Sequence, residues 1–167
     1  AIADTSYIRH DVVFLQQMII HHEQALTLSR LAPSRTNAQN IIDLAAKIES
    51  SQADEIEFMS SWLLDRNELT QSHHHNHDFI NMTGMATDAQ INELAQQNGV
   101  DFDSLFLKLM INHHDGAIKM VDDLRVHLNT LDMANVWDGE NNSELCCILV
   151  HAGSPPNTKT EEYSLPL

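Results

Sequence analysis

The sequence predicts an all-α protein, an up-down helical bundle with a duplicated helical unit and an irregular C-terminal tail. Three observations predict it. Apolar residues recur at spacings of three and four over three long stretches, as on a helix face turned to a core. No proline lies between Ser34 and Ser154, so those stretches can run uninterrupted. The first and last stretches are also copies of each other, offset by 92 residues. Asp11, Phe14, Leu15, Met18, Ile19, His21, His22 and Ala25 recur as Asp103, Phe106, Leu107, Met110, Ile111, His113, His114 and Ala117. Glu23 is matched by Asp115. Two such copies in one bundle would be related by a pseudo-twofold axis.

Taken in order, Asp4, Thr5 and Ser6 offer N-cap oxygens ahead of a helix from Tyr7 to Leu31. Its seam is Phe14, Met18, His21, Ala25 and Leu28, and Pro33 is expected to end it. Thr36 with Gln39 fits a capping box for a second helix, which runs to about Asp65. Its seam is Ile41, Ala45, Ile48, Gln52, Glu55, Met59 and Trp62. A packed seam rarely accepts a lone carboxylate, so Glu55 needs a partner. Residues 66–86 show no seam and read as a long, His-rich loop. Thr87 with Gln90 makes a second capping box, for a short helix stopped by Gly99. Asp101 or Asp103 then caps the last long helix, which ends near Asn129. Its seam is Phe106, Met110, His113, Ala117, Met120 and Leu124.

The organisation is therefore a bundle domain over residues 1–130 and a divergent tail over 131–167. The bundle holds repeat one (7–65), the His-rich loop (66–86) and repeat two (87–130). In the tail, the apolar run 145–150 is compatible with a strand or with a buried helical turn.

Composition narrows the function. The 167-residue chain carries a net charge of −15, which repels nucleic acid and anionic lipid and favours cations. No apolar run is long enough to span a membrane. The chain starts at Ala1, which fits a mature end left by signal-peptide removal or a chosen boundary of the sequence. The two cysteines, Cys146 and Cys147, are adjacent and could bridge only through a strained ring. Eleven histidines and seven methionines exceed what core packing usually requires, and that excess points to metal chemistry.

Residues three and four apart on a helix are neighbours, so Met18 lies beside His21 and His22, and Met110 beside His113 and His114. Thioether with imidazole favours Cu(I) and, by the same softness, Ag(I). Zinc would want more Cys, His or carboxylate, and Mg²⁺ or Ca²⁺ would want oxygen. Cu(II) could use histidine with Glu23, Asp115 or Glu55. The loop histidines His73, His74, His75 and His77 are a separate chelating run, with Met82 and Met85 beside them. The bland reading of each residue is ordinary: a Met on a seam fills the core, and a buried His is hydrogen-bonded. Its repetition as Met-x-x-His-His favours the ligand reading. A di-iron enzyme would need Glu-x-x-His on two helices, and the sequence contains none. No serine-hydrolase elbow, zinc-protease motif or phosphate-binding glycine loop occurs either, so an enzyme is not expected.

The same residues carry a family resemblance. Phe14, Met18, His21, His22 and Ala25, then Gln52, Glu55, Ile56, Met59 and Trp62, resemble the pattern of the bacterial domain of unknown function numbered 305. Gly99, Phe102, Asp103, Phe106, Met110, His113, His114 and Ala117 show it again. The match covers roughly residues 8–125. The resemblance implies a ferritin-like fold and, from its best-understood members, a periplasmic copper-binding protein that holds copper or silver with Met and His. The chain departs from the pattern after Leu131, where a second Gln-x-x-Glu-Ile helix should follow. One face of the bundle is then left for the run 145–150, or another subunit, to cover.

The expectation is an extracytoplasmic copper-binding protein, periplasmic or secreted, for sequestration, resistance or transfer to a copper-transport or efflux partner. Met18, Met110, one of His21 and His22, and one of His113 and His114 would hold the ion, with Gln52, Glu55 and Met59 on the opposing helix as supports or further ligands, and the loop histidines with Met82 and Met85 would capture or pass ions. The alternatives are a ferritin-like metal-dependent redox enzyme, and an interaction module in which the seam histidines bond to Glu55 and Gln52 without metal.

Overall fold

The computed structural model describes residues 9–71 and 82–130, with side chains described as far as residue 124. The described residues are all helical apart from their connections. Helix α1 is Arg9–Ser29, α2 Ala32–Arg35, α3 Gln39–Asp65, α4 Asp88–Gln96 and α5 Gly99–Thr130. The three long helices fall where periodicity predicts them. Asp4, Thr5, Ser6, His73, His74, His75, His77 and the tail 131–167 lie outside the described residues.

Helix α1 packs against both other long helices. Arg9 meets Glu68, His22 meets Glu55 and Arg30 meets Glu49, so α3 runs antiparallel to α1. Helix α5 also runs antiparallel to α1: Phe14 and Gln17 share a groove with Met120 and Leu124, and His21 faces His113. His21 and His113, which hold the same place in the two copies, face each other where the helices meet, as they would on a pseudo-twofold axis.

The predicted seams are the core. Phe14, Met18, His21, Ala25 and Leu28 are all buried on α1. Phe106, Met110, His113 and Ala117 are buried on α5. Two apolar clusters result. One gathers Val12, Phe14, Leu15, Met18, Ile19, Met59, Trp62, Leu63 and Ala117. The other holds Ala25, Leu28, Ala32, Ile41, Ala45, Leu94, Phe102, Phe106, Leu109 and Met110. Along α1 the two meet at His21 and His22, so a polar histidine layer separates them.

Three boundary expectations are corrected. Thr36 does not cap α3; the N-cap is Ala38 without a side-chain bond, and the buried Thr36 hydroxyl instead accepts from the Ala38 N–H at 3.1 Å. Pro33 sits in the first turn of the short α2, where its missing N–H costs nothing. Gly99 opens α5 at a φ of 57° instead of closing α4, which already ends at an extended Gln97. Asp101 is accordingly inside the first turn of α5, where a carboxylate suits the helix dipole. The Thr87–Gln90 capping box forms as predicted, with both reciprocal bonds present.

Candidate metal centre

The centre of the molecule is a layer of four imidazoles supplied by α1 and α5. His21, His22 and His113 are essentially sealed from solvent, and His114 is half-buried. The His21 and His113 rings stack 3.7 Å apart, tilted by 36°. His22 and His114 flank them, 6.5 Å from His21 and 6.0 Å from His113.

His21, His22 and His113 are each fixed through Nε2. His113 Nε2–H donates to the His21 carbonyl at 2.9 Å, a bond between exact repeat equivalents. His21 Nε2–H donates to the Thr83 carbonyl at 3.3 Å. His22 Nε2 and the Glu55 carboxylate are 2.6 Å apart, which supplies the partner that Glu55 needed. His114 is held the other way round: its Nδ1–H donates to the Met110 carbonyl at 2.9 Å. Its Nε2 faces the Gln52 side-chain amide at 3.5 Å. The two polar residues in the seam of α3 thus answer the outer histidine of each copy.

These bonds set the tautomers. With Nε2–H as donor to a carbonyl, Nδ1 of His21 and His113 carries a lone pair, and Nδ1 of His21, His22 and His113 are all buried without a hydrogen-bond partner. Proton capture does not satisfy Nδ1 of His21 or His113. Burial, reinforced by the neighbouring His22, lowers His21 to a pKa of about 4. Burial, then His21 and His114, lowers His113 to about 2. Both rings are neutral at pH 7, the form that ligates metal.

The methionines do not converge as the sequence led us to expect. Met18 and Met59 share one apolar cluster while Met110 belongs to the other, so the two Met-x-x-His-His thioethers lie on opposite sides of the histidine layer. Both clusters are ordinary close packing. Met82 and Met85 are half-buried in the turn that follows residue 81, with Met85 N–H bonded to the Met82 carbonyl at 3.2 Å. Among the described residues, no three His, Cys, Asp or Glu side chains stand close enough together to hold one ion.

The 82–86 segment is the part of the site that periodicity missed. It lies across α5 so closely that a Cβ on Gly116 would fall 2.0 Å from the Thr83 carbonyl oxygen. Gln24 clamps the same segment by accepting from Ala86 N–H at 2.7 Å and donating to its carbonyl at 2.9 Å. Asn112 donates to the Gly84 carbonyl at 3.2 Å. This docking delivers the Thr83 carbonyl to His21. A lone glycine inside a strong helical pattern was the available signal, because it marks a close backbone approach.

The comparisons agree with this architecture. A crystal structure of a candidate secreted DUF305 protein from Streptomyces coelicolor is similar, with a TM-score of 0.62 and 31% identity over 68% of this chain and 70% of that one. A DUF305 fragment from Deinococcus radiodurans is similar at a TM-score of 0.62 and 30% identity, covering 68% of this chain and 74% of that one. No curated protein matches the sequence. The profile of the domain of unknown function DUF305 matches residues 11–138, most of the chain, and the protein belongs to that family.

Proposed function

We propose that this DUF305 protein binds a soft monovalent cation, Cu(I) or Ag(I), at the histidine layer between its two repeats, for sequestration or hand-over outside the cytoplasm. The observation that carries this reading is the set of three buried Nδ1 atoms, on His21, His22 and His113, left without partners while each Nε2 is tied down. A metal-bound imidazole typically has this arrangement, its far nitrogen donating to a carboxylate or backbone carbonyl. A buried polar atom without a partner costs about 1–3 kcal/mol, and a ligated ion removes that cost. Donor type and charge favour this class of ion: imidazole suits copper, and a monovalent ion costs less to bury than a divalent one, while Met18 and Met59 stay in the adjoining apolar cluster. The negative net charge draws cations to the molecule. A location outside the cytoplasm is supported by the Streptomyces relative, and no described helix is long and apolar enough to cross a membrane.

A second reading has its own observation. Every imidazole in the layer already holds one hydrogen bond to protein, so the layer could serve only to register α5 on α1 and α3. An anaerobic competition titration separates the two. The full chain carrying Cys146→Ser and Cys147→Ser, with the loop histidines 73–75 and 77 changed to Asn, is titrated with Cu(I) against bicinchoninate. Our reading expects the protein to withdraw about one equivalent of copper. A folded protein that withdraws none supports the structural layer instead.

A further inference from the structure

We propose that the exposed apolar stripe of α5 is the docking seat of this chain's own segment 145–150. The repeat identifies the seat. On α1, the stripe Leu15, Ile19, His22, Leu26 and Ser29 is 0, 4, 1, 8 and 1% exposed. Its copy on α5 is Leu107, Ile111, His114, Ile118 and Val121, the same helical face 92 residues on. There Ile111 is 62% exposed and Ile118 40%, with Leu107, His114 and Val121 only half-buried. Helix α3 lies along α1, whereas no described helix follows α5 to lie along it. Two isoleucines a helical repeat apart, open on either side of a half-buried histidine, form a face prepared for a cover that the described residues do not supply.

The chain itself carries a fitting cover. It leaves α5 at Thr130 with residues 131–167 still to place. Ile111 lies about 28 Å back along the helix from Thr130, at 1.5 Å per residue. The 14 residues 131–144 can span up to about 46 Å, so the run 145–150 reaches the stripe. That run, Leu145, Cys146, Cys147, Ile148, Leu149 and Val150, is wholly apolar and uncharged. A second copy of the protein is the poorer occupant, because each copy brings a net charge of −15. The uncharged run meets no such repulsion, and tethering makes its docking intramolecular. The proposal is independent of metal binding.

The two cysteines of the chain lie within the proposed cover, so their reactivity reports on it. The full-length, freshly reduced protein is treated with the neutral disulfide 4,4′-dithiodipyridine in the presence of a metal chelator, and the initial rate of thiopyridone release is measured. The Ile111→Asp/Ile118→Asp variant, altered only at exposed positions, should react at least about tenfold faster than the native chain, equivalent to about 1.4 kcal/mol of docking. Equal rates in the two chains would overturn the proposal. So would protection that disappears on dilution together with a dimer seen by sedimentation velocity, which assigns the stripe to a second copy. In the reciprocal variant, Ile148→Asp/Leu149→Asp, the methyl resonances of Ile111 and Ile118 should move; unmoved resonances also overturn it.

Discussion

At the scale of single residues, the histidine layer links stability to pH. His21 and His113 have folded pKa values of about 4 and about 2, below the unfolded value of 6.5. Between the folded and unfolded values the unfolded chain binds more protons, so acid favours unfolding. Stability should be full above pH 6.5 and fall as pH drops toward 4, by about 1.4 kcal/mol per pH unit for each of the two groups. Urea unfolding at a series of pH values checks this, and the slope should shrink in a His113→Gln chain. Gly116 makes a second residue-scale case. Alanine there gains about 1 kcal/mol of helix propensity but drives a Cβ into the Thr83 backbone. Gly116→Ala should therefore destabilise the protein, by about 2 kcal/mol net, and should release the Thr83 carbonyl from His21. Denaturant midpoints read the first effect, and the His21 ring resonances read the second.

At the scale of elements, most of the fold was legible because each long helix has a strict three–four seam and no internal proline. The ends were less legible. Thr36 and Gln39 matched a capping box by spacing, but the turn of α2 places Thr36 in the interior, two residues before the N-cap Ala38. Thr87 and Gln90 matched the same pattern and do form it, because the chain enters α4 extended and exposed. Thr87→Ala should accordingly cost about 1 kcal/mol, the usual value of an N-cap, measured as a shift in urea midpoint. The corresponding Thr36→Ala change acts through a buried hydroxyl and its bond to Ala38 instead. Gly99 shows why a glycine after a short seam is ambiguous: the left-handed φ that ends one helix also lets the chain turn into the next.

For the whole molecule, the repeat explains both what was legible and what was not. Duplication of Met-x-x-His-His announced a twofold arrangement, and His21 does face His113. The missing Gln-x-x-Glu-Ile pattern after Leu131 announced an asymmetry, but not how the copies would share their partners. Among the described residues a single α3 serves both copies, giving a carboxylate to His22 and an amide to His114. The thioethers were expected to join the histidines, but helical geometry carries Met18 and Met110, three residues before their histidines on antiparallel helices, to opposite sides of the layer. Spacing along one helix shows which residues are neighbours there; it does not show which nitrogen of each ring is left free. That detail depends on the carbonyls of His21 and Thr83, backbone atoms that no side-chain pattern reveals.

The central claim, that the layer holds a soft ion through lone pairs the fold leaves open, is tested most directly at those nitrogens. Histidine ring ¹⁵N spectra of the full chain should be recorded during titration with Ag(I), which is diamagnetic and does not change oxidation state. Our account predicts that Nδ1 resonances of at least two of His21, His22 and His113 shift together as about one equivalent is added, while their Nε2–H bonds persist. Ring nitrogens of the layer that stay unmoved, with silver shifting only the His73–His77 resonances or the cysteines, would contradict it.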